Sequence, residues 1–195
     1  LEFEKAVSNH YQKYHTGEWS GRIFEIASGP DAGGYQISEG PNSWETIDSR
    51  GDLGNEHTID WNKNVTIYLT DRGSSSYGTY QDSISTIALN DWSDKISITH
   101  YVTKIGHGYN MWTLLENLRP VWKALGQSVA VFASSSSGPT QYAVVTRYPN
   151  GLKEFYEKAR DEKTIEYKIN QIIDDKKLYK DEHDDHILNL INIII

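Results

Sequence analysis

The sequence contains no cysteine, and this absence excludes several kinds of site at once. A chain without thiols has no disulfides, no thiol nucleophile and no cysteine-ligated zinc or iron–sulfur centre. No apolar run approaches the ~20 residues that a membrane-spanning helix requires. Basic residues are also few, 19 Lys and Arg against 27 Asp and Glu, so the formal net charge is -8. That balance argues against nucleic acids and anionic membrane surfaces as partners, because both attract basic faces.

The 195-residue chain also lacks an initiator methionine. Helical spacing starts within its first residues, so we expect that a segment before Leu1 was processed away or lies outside this sequence. The composition predicts a soluble protein and leaves its compartment open, with export after loss of that segment as one alternative. Thirteen Tyr and six Trp offer buried area that also carries polar groups.

An internal repeat is the main organising feature of the sequence. Four anchors recur in the same order at offsets of 107 to 109 residues, which requires only short insertions or deletions. Repeats of this kind decide the fold class, so they are considered before individual motifs. The anchors are Gly17 with Gly126, Ser28-Gly29-Pro30 with Ser137-Gly138-Pro139, Tyr35 with Tyr142, and Pro41-Asn42 with Pro149-Asn150.

The segments between the anchors also agree. A helical seam at spacings of 4, 3 and 4 opens each copy, and two strand-like stretches joined by a Ser-Gly-Pro turn follow it. A second helix then begins at Pro-Asn, where Asn is a favoured N-cap. The two seams are Phe3, Val7, His10 and Tyr14, and Met111, Leu115, Leu118 and Trp122.

The second copy carries one more strand in front, residues 95–104, which alternates apolar and polar residues. Its order is therefore β-α-β-β-α, with a closing strand expected at 186–195, and the matching first strand of copy one would precede Leu1. That terminal run is either a buried strand or an aggregation-prone edge. In the first copy we predict a helix at 57–72 and a closing strand at 76–82. The predicted domains are residues 1–89 and 95–195, joined by a linker at 90–94.

This pattern resembles the dimeric α/β-barrel superfamily, which includes antibiotic-biosynthesis-type monooxygenases. The turn Lys104-Ile105-Gly106-His107 is similar to the Gly-His helix start of that family, and Tyr148–Phe155 resembles the entry to its second helix. The resemblance implies an α+β fold of two ferredoxin-like β-α-β-β-α-β repeats, with antiparallel sheets packed as an α/β barrel. It also implies a pocket between each sheet and its helices. The family includes cofactor-free oxygenases, haem-degrading enzymes, decarboxylases and proteins without known catalysis, so fold alone selects no activity.

Two histidines lie at positions expected to be buried. His100 lies between Ile98 and Val102 on the apolar side of its predicted strand, where an imidazole suits a general base, a haem ligand or a substrate partner. The alternative is a core histidine satisfied by a neighbour. His10 lies on the first helical seam where the second copy has Leu118, which suggests a local cavity or a polar partner. The alternative is a histidine at the helix edge that reaches water.

Further candidates are aromatic or lie in polar segments. Tyr14, with His15, would share a pocket mouth with His10, and Tyr109 and Trp112 would line a pocket beside the second copy's first helix. His107 at that helix start is predicted to be an exposed turn residue. The acidic and histidine run at 181–186 has no known metal-ligand spacing, and we interpret it as a solvated linker. The sequence therefore predicts no metal site.

Three functional hypotheses follow. The first is binding of a small, flat or apolar molecule between sheet and helices, without catalysis. The second is a cofactor-independent, monooxygenase-like enzyme in which His100 or His10 acts as base and Tyr14 or Tyr109 orients the substrate. The third is a structural role in which the apolar C-terminal tail mediates self-association into a homo-oligomer. No cofactor is predicted, with haem as the alternative, and neither nucleic acid nor a membrane span is expected.

Overall fold

The computed structural model describes residues 2–49, 53–135 and 140–159. It confirms an α+β protein with antiparallel sheets. The chain divides into two compact units, residues 1–74 and 75–195. Among the described residues, no helix combines the length and apolar character needed to cross a membrane.

The first unit contains a two-stranded hairpin and three α-helices. Its elements are α1 (Glu2–Tyr14), β1 (Gly21–Glu25), β2 (Tyr35–Glu39), α2 (Trp44–Ser49) and α3 (Asn55–Asp60). A π-helical segment, Trp61–Val65, continues directly from α3, and a short 3-10 turn, Thr66–Tyr68, follows it. The two strands pair antiparallel, with Arg22 opposite Ser38.

The apolar core of the first unit is small. Val7 of α1 and Val65 at the end of the π-helical segment are buried, and α1 packs against that segment. The most buried polar side chains of the unit, His10 and His15, lie on or beside the same helix. The structure therefore confirms the predicted buried face of α1, and one of the two buried side chains on that face, His10, is polar.

The second unit is built around a four-stranded antiparallel sheet in the order β3-β5-β6-β4. Its elements are β3 (Gly78–Tyr80), β4 (Ile96–Val102), α4 (Gly108–Ala124), β5 (Ser128–Ser134), β6 (Gln141–Arg147) and α5 (Gly151–Ala159). The predicted succession β-α-β-β-α is present from β4 to α5. A 3-10 turn at Asp82–Ile84 precedes β4.

One face of this sheet and α4 enclose the main core. Leu115, Leu118 and Trp122 from the helix contact Val131 and Val144 from the strands. Burial of such side chains contributes ~1.5–3 kcal/mol each, so this unit has the larger apolar contribution to stability. Gly126 ends the helix at φ 65°, and Gly17 follows α1 at φ 63°, so the matched anchors have the same left-handed backbone.

The structure differs from the sequence predictions at four places. The helix predicted at 57–72 begins at Asn55, is α-helical only to Asp60, and continues as the π-helical segment and the 3-10 turn that ends at Tyr68. The strand predicted to close the first copy is β3, which instead pairs with β5 and extends the second sheet. The boundary between the units accordingly falls at residues 74 and 75, whereas the expected linker, 90–94, lies inside the second unit. The described strands form no closed barrel. The predicted last strand, 186–195, and the run at 181–186 lie outside the described residues.

Candidate metal centre

Three histidines of the first unit meet at one point. His10 lies on α1, His15 follows the end of that helix, and His57 lies on α3. One nitrogen from each ring lies within 4.8 Å of the other two. His10 and His15 are 1% and 7% exposed, and His57 is half-buried. Among the described residues, these three form the one group of His, Asp or Glu side chains whose possible ligand atoms lie close enough together to hold a metal ion.

The end of α1 places its two histidines on the same side. The backbone N–H of His15 donates to the Tyr11 carbonyl at 2.9 Å, which extends the helical hydrogen bonding by one residue. The imidazole of His15 stacks on the Tyr11 ring, with 3.9 Å between centroids and 11° between planes. The rings of His10 and His15 consequently lie 5.3 Å apart between centroids.

An aspartate from α3 holds the His10 ring. Asp60 Oδ2 lies 2.7 Å from His10 Nδ1, and the same carboxylate accepts a 2.9 Å hydrogen bond from the Asn64 side chain. The hydrogen bond from His10 lowers the pKa of Asp60 below its usual value, and the bond from Asn64 acts in the same direction. Because this carboxylate occupies Nδ1, it directs Nε2 of His10 into the cluster.

A glutamate from β2 lies against the His15 ring. Glu39 Oε1 is 2.9 Å from His15 Nδ1, an ion-pair distance without favourable hydrogen-bond angles. The hydroxyl of Tyr11 donates to the same oxygen at 2.8 Å and fixes its position. Gly21 on β1 leaves room for this arrangement, since a Cβ there would lie 2.7 Å from the Tyr11 ring and 3.4 Å from Glu39 Cγ.

One nitrogen of each ring lies within 4.8 Å of the other two. His15 Nε2 and His57 Nε2 form a hydrogen bond of 3.2 Å, in which one ring donates and the other accepts. His10 Nε2 is buried and has no hydrogen-bond partner. A buried polar atom without a partner costs ~1–3 kcal/mol, so its position calls for a ligand.

Aromatic rings enclose the histidines. The Tyr14 ring is 5.0 Å from His10 and 5.4 Å from His57 between centroids, and the Trp61 ring is 5.1 Å from His10. Trp61 begins the π-helical segment, a geometry that often occurs at functional sites. The cluster therefore has low local polarity apart from its two carboxylates, which strengthens electrostatic interactions inside it.

The candidate residues named from the sequence have different outcomes. His10 is buried as expected, and Tyr14 lies beside it. His100 was expected to be buried, which is wrong: its side chain is exposed, because the core contact of β4 is made by Tyr101 on the opposite face. Tyr109 is 79% exposed, whereas Trp112 packs against the core of the second unit. His107 is exposed, as predicted for a turn residue.

Sequence reasoning missed His57, Asp60 and Glu39. The first two lie three residues apart, which places them on one face of α3 and is the one local signal that the sequence offered. Glu39 ends β2 and could be assigned only once β2 was known to lie beside Tyr11. The expectation of no metal site rested on local spacing, and these groups come from three separate elements.

No known protein family, curated protein or solved structure matches this chain. The case for a function therefore rests on the geometry of the site.

Proposed function

We propose that the first unit binds a divalent transition metal ion, with zinc as the best fit, through His10, His15 and His57. The observation that carries the proposal is the buried, unpartnered Nε2 of His10, on a ring that offers one nitrogen within 4.8 Å of nitrogens of His15 and His57. Neutral imidazole nitrogens are preferred ligands of zinc, copper, nickel and iron, whereas Mg²⁺ and Ca²⁺ prefer oxygen.

The separation of two ligands favours a tetrahedral ion. Zinc binds imidazole nitrogen at ~2.0–2.1 Å, so two ligands of a tetrahedral site lie ~3.3 Å apart. His15 Nε2 and His57 Nε2 are 3.2 Å apart. The widest spacing within the cluster reaches at most 4.8 Å, so metal binding draws the third ring inward by an ångström or so.

The carboxylates support the same proposal. Metal-bound histidines commonly donate their second ring nitrogen to a carboxylate, which fixes the tautomer and raises the basicity of the ligand. Asp60 lies at 2.7 Å from Nδ1 of His10, and Glu39 at 2.9 Å from Nδ1 of His15. Two carboxylates also offset the charge of a divalent ion in a poorly solvated setting.

The test is zinc binding by the full chain, produced without a histidine tag and stripped with a chelator. Calorimetry is expected to show one zinc per chain, and His57→Ala is expected to abolish that binding. His10→Leu is the second ligand variant, since leucine fills the position as Leu118 does in the other copy. Zinc binding that survives both substitutions would refute the proposal.

Two control variants separate this site from other histidines. His100→Ala removes an exposed imidazole of the second unit and is expected to leave zinc binding unchanged. The double variant His183→Ala/His186→Ala removes the histidines of the acidic run at 181–186, which offers its own oxygen and nitrogen ligands. Loss of zinc in the double variant alone would transfer the metal site to that run.

We further propose that the second unit is a ferredoxin-like unit and that the first is its diverged copy. The succession α-β-β-α occurs in both, and β6 lies between β4 and β5 as that fold requires. Two hypotheses from the sequence remain untested by the structure: binding of a small flat molecule beside α4, and self-association through the C-terminal tail. Among their candidate residues, His100 and Tyr109 are exposed.

A further inference from the structure

We infer that the bound metal keeps one coordination position for an exchangeable small ligand, either water or a small monovalent anion. The inference rests on the proposed metal site and adds that the centre is open. A closed site would use four protein ligands and act as a structural staple. An open site would hold an exogenous ligand on the metal and polarise it.

The count of available donors supports an open position. Within the described chain, the cluster contains three histidines and no fourth group of the same kind. Asp60 is hydrogen-bonded to Nδ1 of His10, which is the contact of an outer partner, and Glu39 lies at ion-pair distance from Nδ1 of His15. The chain has no cysteine to complete the set. A tetrahedral ion with three imidazole ligands then takes its fourth ligand from outside.

The nearby tyrosines do not supply the missing ligand. The Tyr14 hydroxyl donates to the carbonyl of Glu56 at 3.2 Å, and the Tyr11 hydroxyl donates to Glu39 at 2.8 Å. A phenol coordinates a metal as the phenolate, so each tyrosine would first have to break its hydrogen bond and lose its proton.

We expect an external ligand to reach the open coordination position of the metal from the side of His57. The other two imidazoles are almost completely buried, whereas His57 is half-exposed on a six-residue helix. Solvent therefore reaches the metal from the α3 side. Asp60 and Glu39 together balance a divalent charge, so a ligand of one negative charge or none suits the position better than a multiply charged anion.

The experiment uses the full chain loaded with Co²⁺, which reports its coordination through visible absorption. Titration with azide is expected to change the cobalt bands in a saturable manner with one azide per metal, and removal of azide by dialysis should restore the original bands. Glu39→Gln removes one balancing charge, so azide is expected to bind the cobalt form about threefold to tenfold more tightly. His100→Ala serves as the matched control and should titrate as the unmodified protein does.

Two negative results have different meanings. If Co²⁺ binds one per chain with tetrahedral absorption that azide leaves unchanged, four protein groups fill the coordination sphere and the inference is wrong, while the metal site stands. If Co²⁺ gives no tetrahedral absorption and does not bind stoichiometrically, the proposed function itself fails.

Discussion

At the scale of single residues, the site depends on which nitrogen of each imidazole is occupied. A histidine ring has two nitrogens, and a carboxylate that takes Nδ1 leaves Nε2 as the lone-pair donor. Asp60 does this for His10 at 2.7 Å. The carboxylate thus selects the tautomer before any metal arrives, which reduces the reorganisation that binding requires.

Asp60→Asn is therefore expected to weaken zinc binding by about 10–100-fold, the usual effect of removing such an outer partner. Asparagine keeps the shape of the side chain but not its charge. The measurement is a competition titration against a chromogenic zinc chelator. Asp31→Asn, which alters an exposed aspartate of the same unit, is the control, and equal affinity in both variants would contradict the assigned role.

A second residue pair makes a prediction about pH. The Tyr35 hydroxyl donates to Glu4 Oε1 at 2.9 Å, and this hydrogen bond lowers the pKa of Glu4 below its usual value. A carboxyl whose pKa is lower in the folded state stabilises the fold above its unfolded pKa, and the contribution is lost as pH falls through the folded value. The contribution of the Tyr35–Glu4 hydrogen bond to folding stability is thus fully present at neutral pH and decreases below a pH of about 4.3.

In Tyr35→Phe, the titration midpoint of Glu4 is expected to move upward, because the donor that stabilises its charged form is gone. Carboxyl carbon NMR shifts followed against pH measure the midpoint. Tyr14→Phe removes a hydroxyl that bonds to the Glu56 carbonyl and should leave Glu4 unchanged. A Glu4 midpoint that is the same with Tyr35 and with Phe would exclude the hydrogen bond as the cause.

At the scale of elements, α1, α4 and the two hairpins β1–β2 and β5–β6 followed from the sequence, whereas the helix predicted at 57–72 is divided into three elements. The seam that includes Val7 and His10 predicted α1 and its buried face correctly. The strand β4 was also predicted, yet period-two alternation does not say which face meets the core. Tyr101 turns toward α4 and His100 turns away, so the candidate that relied on that choice was wrong.

The proposed metal centre shows even more clearly that local sequence patterns do not identify which elements pack together. His10 and His15 are near in sequence, but His57 is 42 residues beyond His15 and lies on a short helix that overlaps only the start of the helix predicted at 57–72. Whether its ring meets α1 depends on how that segment folds back through the π-helical turn. Local patterns carry no such information, because the contact is set by tertiary packing.

A buried arginine provides a test at the element scale. Arg147, at the end of β6, donates to the carbonyls of Ala88 at 3.3 Å and Leu89 at 3.2 Å, and its guanidinium lies 4.8 Å from the Trp92 ring. It therefore holds the segment before β4 against the sheet. Charge-assisted hydrogen bonds in a buried position contribute more than ordinary ones.

Arg147→Met is expected to lower the free energy of unfolding by about 2 kcal/mol, since both hydrogen bonds disappear while the aliphatic volume is kept. Urea denaturation monitored by circular dichroism gives the value. Arg72→Met, at an exposed position, should change it by less than about 0.5 kcal/mol. A similar loss in both variants would mean that the contacts with Ala88 and Leu89 contribute nothing specific.

At the scale of the whole molecule, the two units differ in what stabilises them. The second has a continuous apolar core between α4 and its sheet. The first buries two valines together with two histidines, so a smaller share of its stability comes from apolar burial. A ligand that binds only the folded form therefore makes a larger relative contribution to the stability of the first unit than to that of the second.

Hydrogen exchange should show this difference directly. With free zinc at about 100 times its Kd, binding adds ~2.7 kcal/mol, which corresponds to about 100-fold slower exchange by openings that disrupt the site. We expect the slowing in α1 and α3 and no change in β5 and β6. Equal slowing in both units would show that they open together, and no slowing in α1 would argue against metal binding there.

Gly21 has a consequence for natural and laboratory variants of this protein. On a sequence alone, alanine in place of a strand glycine would be scored as neutral or mildly favourable. In this fold the added methyl group would lie 2.7 Å from the Tyr11 ring, which stacks on His15, and 3.0 Å from the backbone oxygen of Ser38. If the first unit binds a metal as proposed, an apparently neutral change at position 21 would weaken that binding by displacing the Tyr11 ring that stacks on His15.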